Sequence, residues 1–203
     1  MDFTLEQAQG WPQSCVVGVD EAGRGPWAGP VTAAAIYLPQ DFTLAVDDSK
    51  KLTAKKRDVL FDALIELPHG IGAASVAEID HLNILQATFL AMRRAVDGLA
   101  AKIGAPAHVL VDGNKLPDWP YAAQAVIGGD ARAPSIAAAS ILAKVTRDRE
   151  MAALDAQFPG YGWASNKGYG AKAHQIGLEK LGVTPHHRRS YAPIAKILRG
   201  ETA

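Results

Sequence analysis

Four acids share one setting in this chain. Asp20 and Glu21 follow the apolar run SCVVGV (14–19), Asp112 follows AHVLV and precedes Gly113, and Asp130 follows Gly128 and Gly129. Each stands beside a glycine, or within a residue or so of one, where an apolar or turn segment ends. Short strands with acids at their ends bring carboxylates together from distant positions. Such a cluster repels itself unless a cation sits in it. Carboxylate oxygens are natural ligands for Mg²⁺, which keeps several waters and completes its shell with substrate phosphate. Two such ions can activate a water and stabilise the leaving oxygen in phosphodiester hydrolysis. Taken singly the acids say less. Asp-Gly after a strand is a common turn, and local chemistry leaves Asp20-Glu21 open between a solvated turn and a cation site.

Other catalytic templates fit worse. Gly23-Arg24-Gly25 is not a dinucleotide fingerprint, because the next glycine, Gly29, falls one residue late and a strand-like segment follows it. No phosphate-binding G-x-x-x-x-G-K-[ST] loop and no G-x-S-x-G elbow occurs. With one cysteine and His186 adjacent to His187, zinc-type spacing is absent. The single Cys15 cannot close an internal disulfide and reads as a core thiol of a reducing compartment.

The positioning elements follow from periodicity. Segments 14–19, 31–38 and 71–77 read as strands, and 107–111 as another that delivers Asp112. Residues 52–67 read as an amphipathic helix with Leu52, Val59, Leu60, Ala63, Leu64 and Leu67 on or near one face. The strongest helix is 83–103, where Ile84, Ala87, Ala91, Ala95, Leu99 and Ile103 recur at three- and four-residue steps. Pro134 opens a long helix to about Gln157. On it Ser140, Lys144 and Arg147 share a face that could approach phosphates or simply be solvated. Shorter helices are predicted near 171–181 and 192–199. Strands and helices in this order predict an α/β fold, a mixed sheet flanked by helices.

A hydrophobic fraction of 48% fills a real core, and 203 residues suit a single domain. Net charge is +0, so bulk charge says nothing for nucleic acid. Its distribution says more: residues 1–140 carry 11 Lys/Arg against 16 Asp/Glu, and 141–203 carry 10 against 5. A basic last third beside an acidic remainder suits phosphate binding around an acidic centre. Lys50, Lys51, Lys55, Lys56 and Arg57 could track a duplex backbone or be a solvated helix start, and His187 to Arg189 are similar candidates. No apolar stretch nears the roughly 18 residues of a membrane span, and MDFTLEQAQGW lacks the pattern of a signal peptide. A cytoplasmic protein without membrane contact is expected.

The pieces DEAGRGPWAGPV (20–31), DDSKKL (47–52), LNILQAT (82–88), VDG (111–113), GGD (128–130), SIAAASILAKVTRD (135–148), FPGYGWASNKGYG (158–170) and HHRRSY (186–191) together resemble bacterial ribonuclease HII, the type 2 ribonuclease H. The resemblance runs in order from about residue 14 to 192, and DEAGRGP followed by ASILAKVTRD at this spacing is its most specific part. It implies the ribonuclease H-like fold, with a catalytic core of about 14–157 and a helical, substrate-binding C-terminal extension of about 158–203. It implies Mg²⁺ or Mn²⁺ held by Asp20, Glu21, Asp112 and Asp130. The implied substrates are RNA–DNA hybrids and duplex DNA with a single embedded ribonucleotide, cut on its 5′ side to leave 3′-hydroxyl and 5′-phosphate ends. Gly23, Arg24 and Gly25 would contact the ribose 2′-hydroxyl and adjacent phosphate, and Tyr169 the sugar at the RNA-to-DNA junction. Asn83 and Gln86 resemble positions that hold the nucleic-acid backbone. Ser140, Lys144, Arg147 and Lys50 complete the expected substrate contacts. The GRG tripeptide favours this type over its sister, ribonuclease HIII. A monomer is expected. A sliding clamp is a conceivable partner, although AKILRGETA shows no evident clamp-binding peptide.

Overall fold

The computed structural model describes residues 1–49 and 52–200, so Lys50 and Lys51 lie outside the described residues. Its centre is a five-stranded sheet built from β1 (Val16–Ala22), β2 (Val31–Tyr37), β3 (His69–Ala74), β4 (His108–Asp112) and β5 (Ala123–Val126), in the order β3-β2-β1-β4-β5. β1, β2 and β3 pair antiparallel, while β4 pairs parallel with both β1 and β5. The sheet is therefore mixed, as expected. Parallel pairing in register Val19 to Val111 brings the C-terminal ends of β1 and β4 side by side. That register is what sets Asp20 beside Asp112.

Alternation along the strands feeds two cores. Val17, Val19, Ala33, Ala35, Val109 and Val111 pack on one face against α4 (Ile84–Ile103) through Ala87, Ala91, Ala95 and Leu99. The approach is close because β3 offers glycines there. A Cβ on Gly70 or Gly72 would lie 2.0 and 2.2 Å from the Ala95 and Ala91 carbonyl oxygens. On the other face, Ala34 and Ile36 meet α2 (Ala54–Leu64) and α5 (Pro134–Gln157). Along the first half of α5 small side chains, Ala137, Ala138, Ala139 and Ala143, let the helix lie flat on the sheet.

The N-terminus of α5 has Ala133 as its cap residue, which has no side-chain acceptor. Glu6, from α1 (Thr4–Ala8), takes that part: its buried Oε1 accepts from Ser135 N at 2.9 Å and Ser135 Oγ at 2.6 Å. Beyond α5, α6 (Trp163–Asn166), α7 (Lys172–Leu181) and α8 (Ala192–Leu198) surround a separate apolar cluster of Met151, Leu154, Tyr161, Trp163, Leu178 and Ile194. That cluster includes Ala28, in the connection between β1 and β2.

Three expectations change. The strand read at 71–77 starts earlier and ends at Ala74, because Ser75 and Glu78 form a capping box that starts α3 (Val76–Leu82). In α2, Val59 and Ala63 face solvent while Phe61 is buried with Leu60 and Leu64. Ile103, at the end of α4, is exposed rather than core. No helix among the described residues is long and apolar enough to cross a membrane.

Candidate active site

Adjacent residues of a strand point to opposite faces. Asp20 continues the face of Val16 and Gly18, toward α5. Glu21 continues the face of Val17 and Val19, toward α4. Two neighbouring clefts reflect this. One, of about 290 Å³, is lined by Asp20, Glu21, Gly23, Arg24, Gly25, Ser140, Lys144, Arg147 and Tyr169. The other, of about 280 Å³, shares Glu21 and Arg24 and continues past Thr88, Met92, Asp112, Gly113 and Lys115. Joined at Glu21 and Arg24, they make a groove across the acid-bearing end of the sheet.

Asp20 is 5% exposed. Burial, and then the charges of Glu21, Asp112 and Asp130, push its carboxyl well above the ordinary range; its hydrogen bond from Glu21 N, at 2.7 Å, acts the other way. Asp112 Oδ1 accepts from Gly129 N at 2.7 Å. That bond ties the end of β4 to the 3₁₀ turn Gly129–Ala131, which carries the buried Asp130. Arg24 makes a 3.3 Å ion pair with Glu21, and its side chain is half exposed where the two clefts meet. The four acids thus converge on Asp20, and their mutual repulsion is the condition a divalent cation relieves. Among the described residues no three His, Cys, Asp or Glu side chains are already drawn into a metal cage. An open set of carboxylates suits Mg²⁺, which retains waters and takes substrate oxygens instead of filling an all-protein cage.

The glycine stretch owes its shape to two buried arginines. Gly23 has φ +98, and a Cβ there would stand 2.0 Å from Arg147 Nε. Arg147, 2% exposed, donates from Nε to Pro30 O at 3.0 Å and from Nη2 to Ala28 O at 3.2 Å. Burial, with the neighbouring Arg188 charge, lowers its pKa to about 10. Arg147 therefore floors the cleft and holds protein carbonyls with those nitrogens, instead of presenting them to a phosphate as its place on the helix suggested. Lys144 does reach the cleft, paired with Asp148 at 2.7 Å, and Ser140 Oγ accepts weakly from Ser49 N at 3.4 Å.

Tyr169 is half exposed, with ring atom Cε1 3.2 Å from where a Gly25 Cβ would be. A chain of neutral histidines supports its backbone. His187 Nδ1 accepts from Thr184 N at 2.9 Å, so its proton is on Nε2 and is donated to His174 Nε2 at 3.0 Å. His174 then carries its proton on Nδ1 and donates to Tyr169 O at 2.9 Å.

The remaining expected contacts are scattered. Asn83 caps α4, its Oδ1 accepting from Leu85 N and Gln86 N at 3.0 and 3.2 Å, and neither Asn83 nor Gln86 lines the groove. Lys50 lies outside the described residues. Arg57 donates at 2.6 Å to the carbonyls of Ser49 and Leu52, so it fastens its own chain instead of facing a duplex. His187 and Arg188 are fully buried, which overturns their expected place among duplex-tracking groups. Sequence reasoning missed Arg188 and Tyr191 as supports of the glycine stretch. The signal available was only their presence in HHRRSY.

The sheet order, with acids gathered where its parallel strands end, defines a protein of the ribonuclease H-like class. Comparison with known proteins narrows this. The ribonuclease HII profile matches residues 17–194. A ribonuclease HII of Sphingopyxis alaskensis is 56% identical over 183 residues, covering 90% of this chain and 91% of its own. One from Paracoccus denitrificans is 55% identical over 207 residues, covering 100% and 97%. Among solved structures, the ribonuclease H2 of Pyrococcus horikoshii OT3 superposes with a TM-score of 0.76 at 28% identity, covering 91% of this chain and 97% of that one. The chain belongs to the ribonuclease HII family, endoribonucleases that act on the RNA of RNA–DNA hybrids.

Proposed function

We propose that this protein is a divalent-metal-dependent endoribonuclease that also incises duplex DNA 5′ of a single embedded ribonucleotide, leaving 3′-hydroxyl and 5′-phosphate ends. The observation that carries this is the burial of Asp20 among Glu21, Asp112 and Asp130 on a groove whose next wall is Gly23-Arg24-Gly25. Asp20, Glu21, Asp112 and Asp130 would hold Mg²⁺ or Mn²⁺, which when bound supplies water activation and stabilisation of the leaving 3′-oxygen. Gly23 and Gly25 let backbone approach a sugar closely, which reading a 2′-hydroxyl requires. Arg24, by leaving Glu21, can grip the neighbouring phosphate with two parallel hydrogen bonds. Tyr169 lies against the next sugar, where a second 2′-hydroxyl would crowd the ring. Lys144 and Ser140 line the same wall and help hold the strand. Residues 158–203 act with the 14–157 core as one substrate-binding unit, working as a monomer in the cytoplasm in ribonucleotide removal.

The test is a DNA duplex with one ribonucleotide, incubated with Mg²⁺ or Mn²⁺ beside an all-DNA control. Incision 5′ of the ribonucleotide only, abolished by EDTA, is expected. No incision under either metal refutes the activity, and equal cutting of both duplexes refutes the 2′-hydroxyl reading.

A further inference from the structure

Arg188 lies between α7 and α8 and is fully buried. A guanidinium has five N–H donors, and here all five are engaged. Nε donates to Gly29 O at 2.9 Å, and Nη2 to Gly23 O at 2.6 Å and Pro30 O at 3.0 Å. Nη1 donates to Arg24 O and to Tyr191 Oη, both at 2.9 Å. The Tyr191 hydroxyl passes its own proton on to Arg24 O. Arg188 thus has no donor left for a phosphate. Its place is kept by backbone pairing of the same segment, Arg188 N to Trp27 O at 2.8 Å and Gly29 N to His186 O at 2.9 Å.

The consequence follows from peptide geometry. In a planar trans peptide the C=O and the next residue's N–H point in opposite directions. The peptides after Gly23 and Arg24 are trans. With both carbonyls turned inward to Arg188, the N–H groups of Arg24 and Gly25 turn outward. Gly23, Arg24 and Gly25 line the cleft and Arg188 does not. Two successive N–H groups turned the same way make an anion-binding concavity, and a buried positive charge behind them raises its potential.

We propose that Arg188, seconded by the Tyr191 hydroxyl, is the positioning residue that sets the peptide orientation of the recognition loop, so that the Arg24 and Gly25 amides face the nucleic acid. This rests on the reading of Gly23 to Gly25 as the sugar and phosphate contact. It assigns the C-terminal segment a part in substrate recognition that involves no contact with substrate. It also explains why an arginine is used: a lysine ammonium has three donors and cannot hold four carbonyls and a hydroxyl.

The test measures steady-state incision of the single-ribonucleotide duplex in Mg²⁺ with thermal midpoints of the same preparations. Tyr191→Phe removes the hydroxyl's bond to Arg24 O and the bond it accepts from Arg188 Nη1, while the four carbonyls that Arg188 also holds keep the guanidinium in place. It is expected to raise KM about three- to tenfold with kcat within about twofold, the signature of lost ground-state binding. Arg188→Lys is expected to raise KM by about tenfold or more, with incision still 5′ of the ribonucleotide. If Tyr191→Phe, or a folded Arg188→Lys, keeps the parental KM and loses only stability or kcat, Arg188 is a fold staple and the proposal is overturned. Should Arg188→Lys not fold, Tyr191→Phe decides alone. Failure of the parent protein to incise this duplex is a separate result, which strikes the functional reading before any variant is made.

Discussion

Two alanine substitutions two residues apart should separate folding from recognition. At Gly23 the backbone has φ +98, and a Cβ would lie 2.0, 2.4 and 2.8 Å from Nε, Cδ and Cζ of Arg147. Left-handed backbone costs a residue with a Cβ roughly 1–2 kcal/mol. Relieving the clash displaces a buried guanidinium from Pro30 O or Ala28 O, and each such charge-assisted bond contributes about 1.5–3 kcal/mol. Gly23→Ala should therefore destabilise by roughly 3–5 kcal/mol, a fall of roughly 10 °C in thermal midpoint for a domain of this size. Gly25 has no positive φ, and its added Cβ would meet only the half-exposed Tyr169 ring, at 3.2 Å. Shifting that ring by a few tenths of an ångström costs under about 0.5 kcal/mol, so Gly25→Ala should melt with the parent. Its single-turnover incision rate on the embedded ribonucleotide should nonetheless fall about tenfold, the equivalent of losing one close contact of 1–2 kcal/mol. Calorimetry with EDTA and rapid-quench incision would measure both. Equal midpoints for the two variants, or an undiminished rate for Gly25→Ala, would refute the division of labour between the glycines.

Three further outcomes are expected. Asp20→Asn should lower incision by at least about a thousandfold, while its midpoint in EDTA should not fall, because a buried like charge is removed and the acceptor from Glu21 N is kept; a midpoint several degrees lower would count against the crowded-acid picture. Burial, then the neighbouring His174, holds His187 at about 4. The unfolded imidazole takes its proton near 6.5, so between these values the unfolded state binds more protons. The contribution is full above about pH 6.5 and lost as pH falls toward 4, by up to about 3 kcal/mol; urea midpoints from pH 4 to 7 should slope less for His187→Gln, and parallel slopes would disprove this. Glu6→Ala, which uncaps α5, should cost about 2–3 kcal/mol by urea unfolding and leave incision unchanged; a cost under about 0.5 kcal/mol would show that Ser135 finds another partner.

What was legible in the sequence divides along a physical line. Periodic burial writes itself into residue types, so β1, β2, β4, α4 and α5 could be read, and with them the acids at the strand ends. β5 could not: its four residues AQAV are too few to show a period and hold one strand-forming side chain, Val126, at the edge of the sheet. The α3 start was written as Ser75 and Glu78, yet the apolar run IGAASVA masks a cap placed inside it. Charges are the harder case. An arginine in water and an arginine buried under a loop are the same letter, and what distinguishes Arg147 and Arg188 is the set of carbonyls that the β1–β2 connection turns toward them. The basic excess of residues 141–203 therefore overstates the positive surface, since part of it is internal. The same fact bears on Asp20 and Glu21. Their adjacency marks a site because alternation sends one carboxylate to each face of the sheet, but the loop beside them has a defined shape only because cations from α5 and the C-terminal segment stand behind it. On the proposed reading, substrate recognition is carried by backbone whose orientation is set from the far side, and that dependence is invisible until the chain is folded.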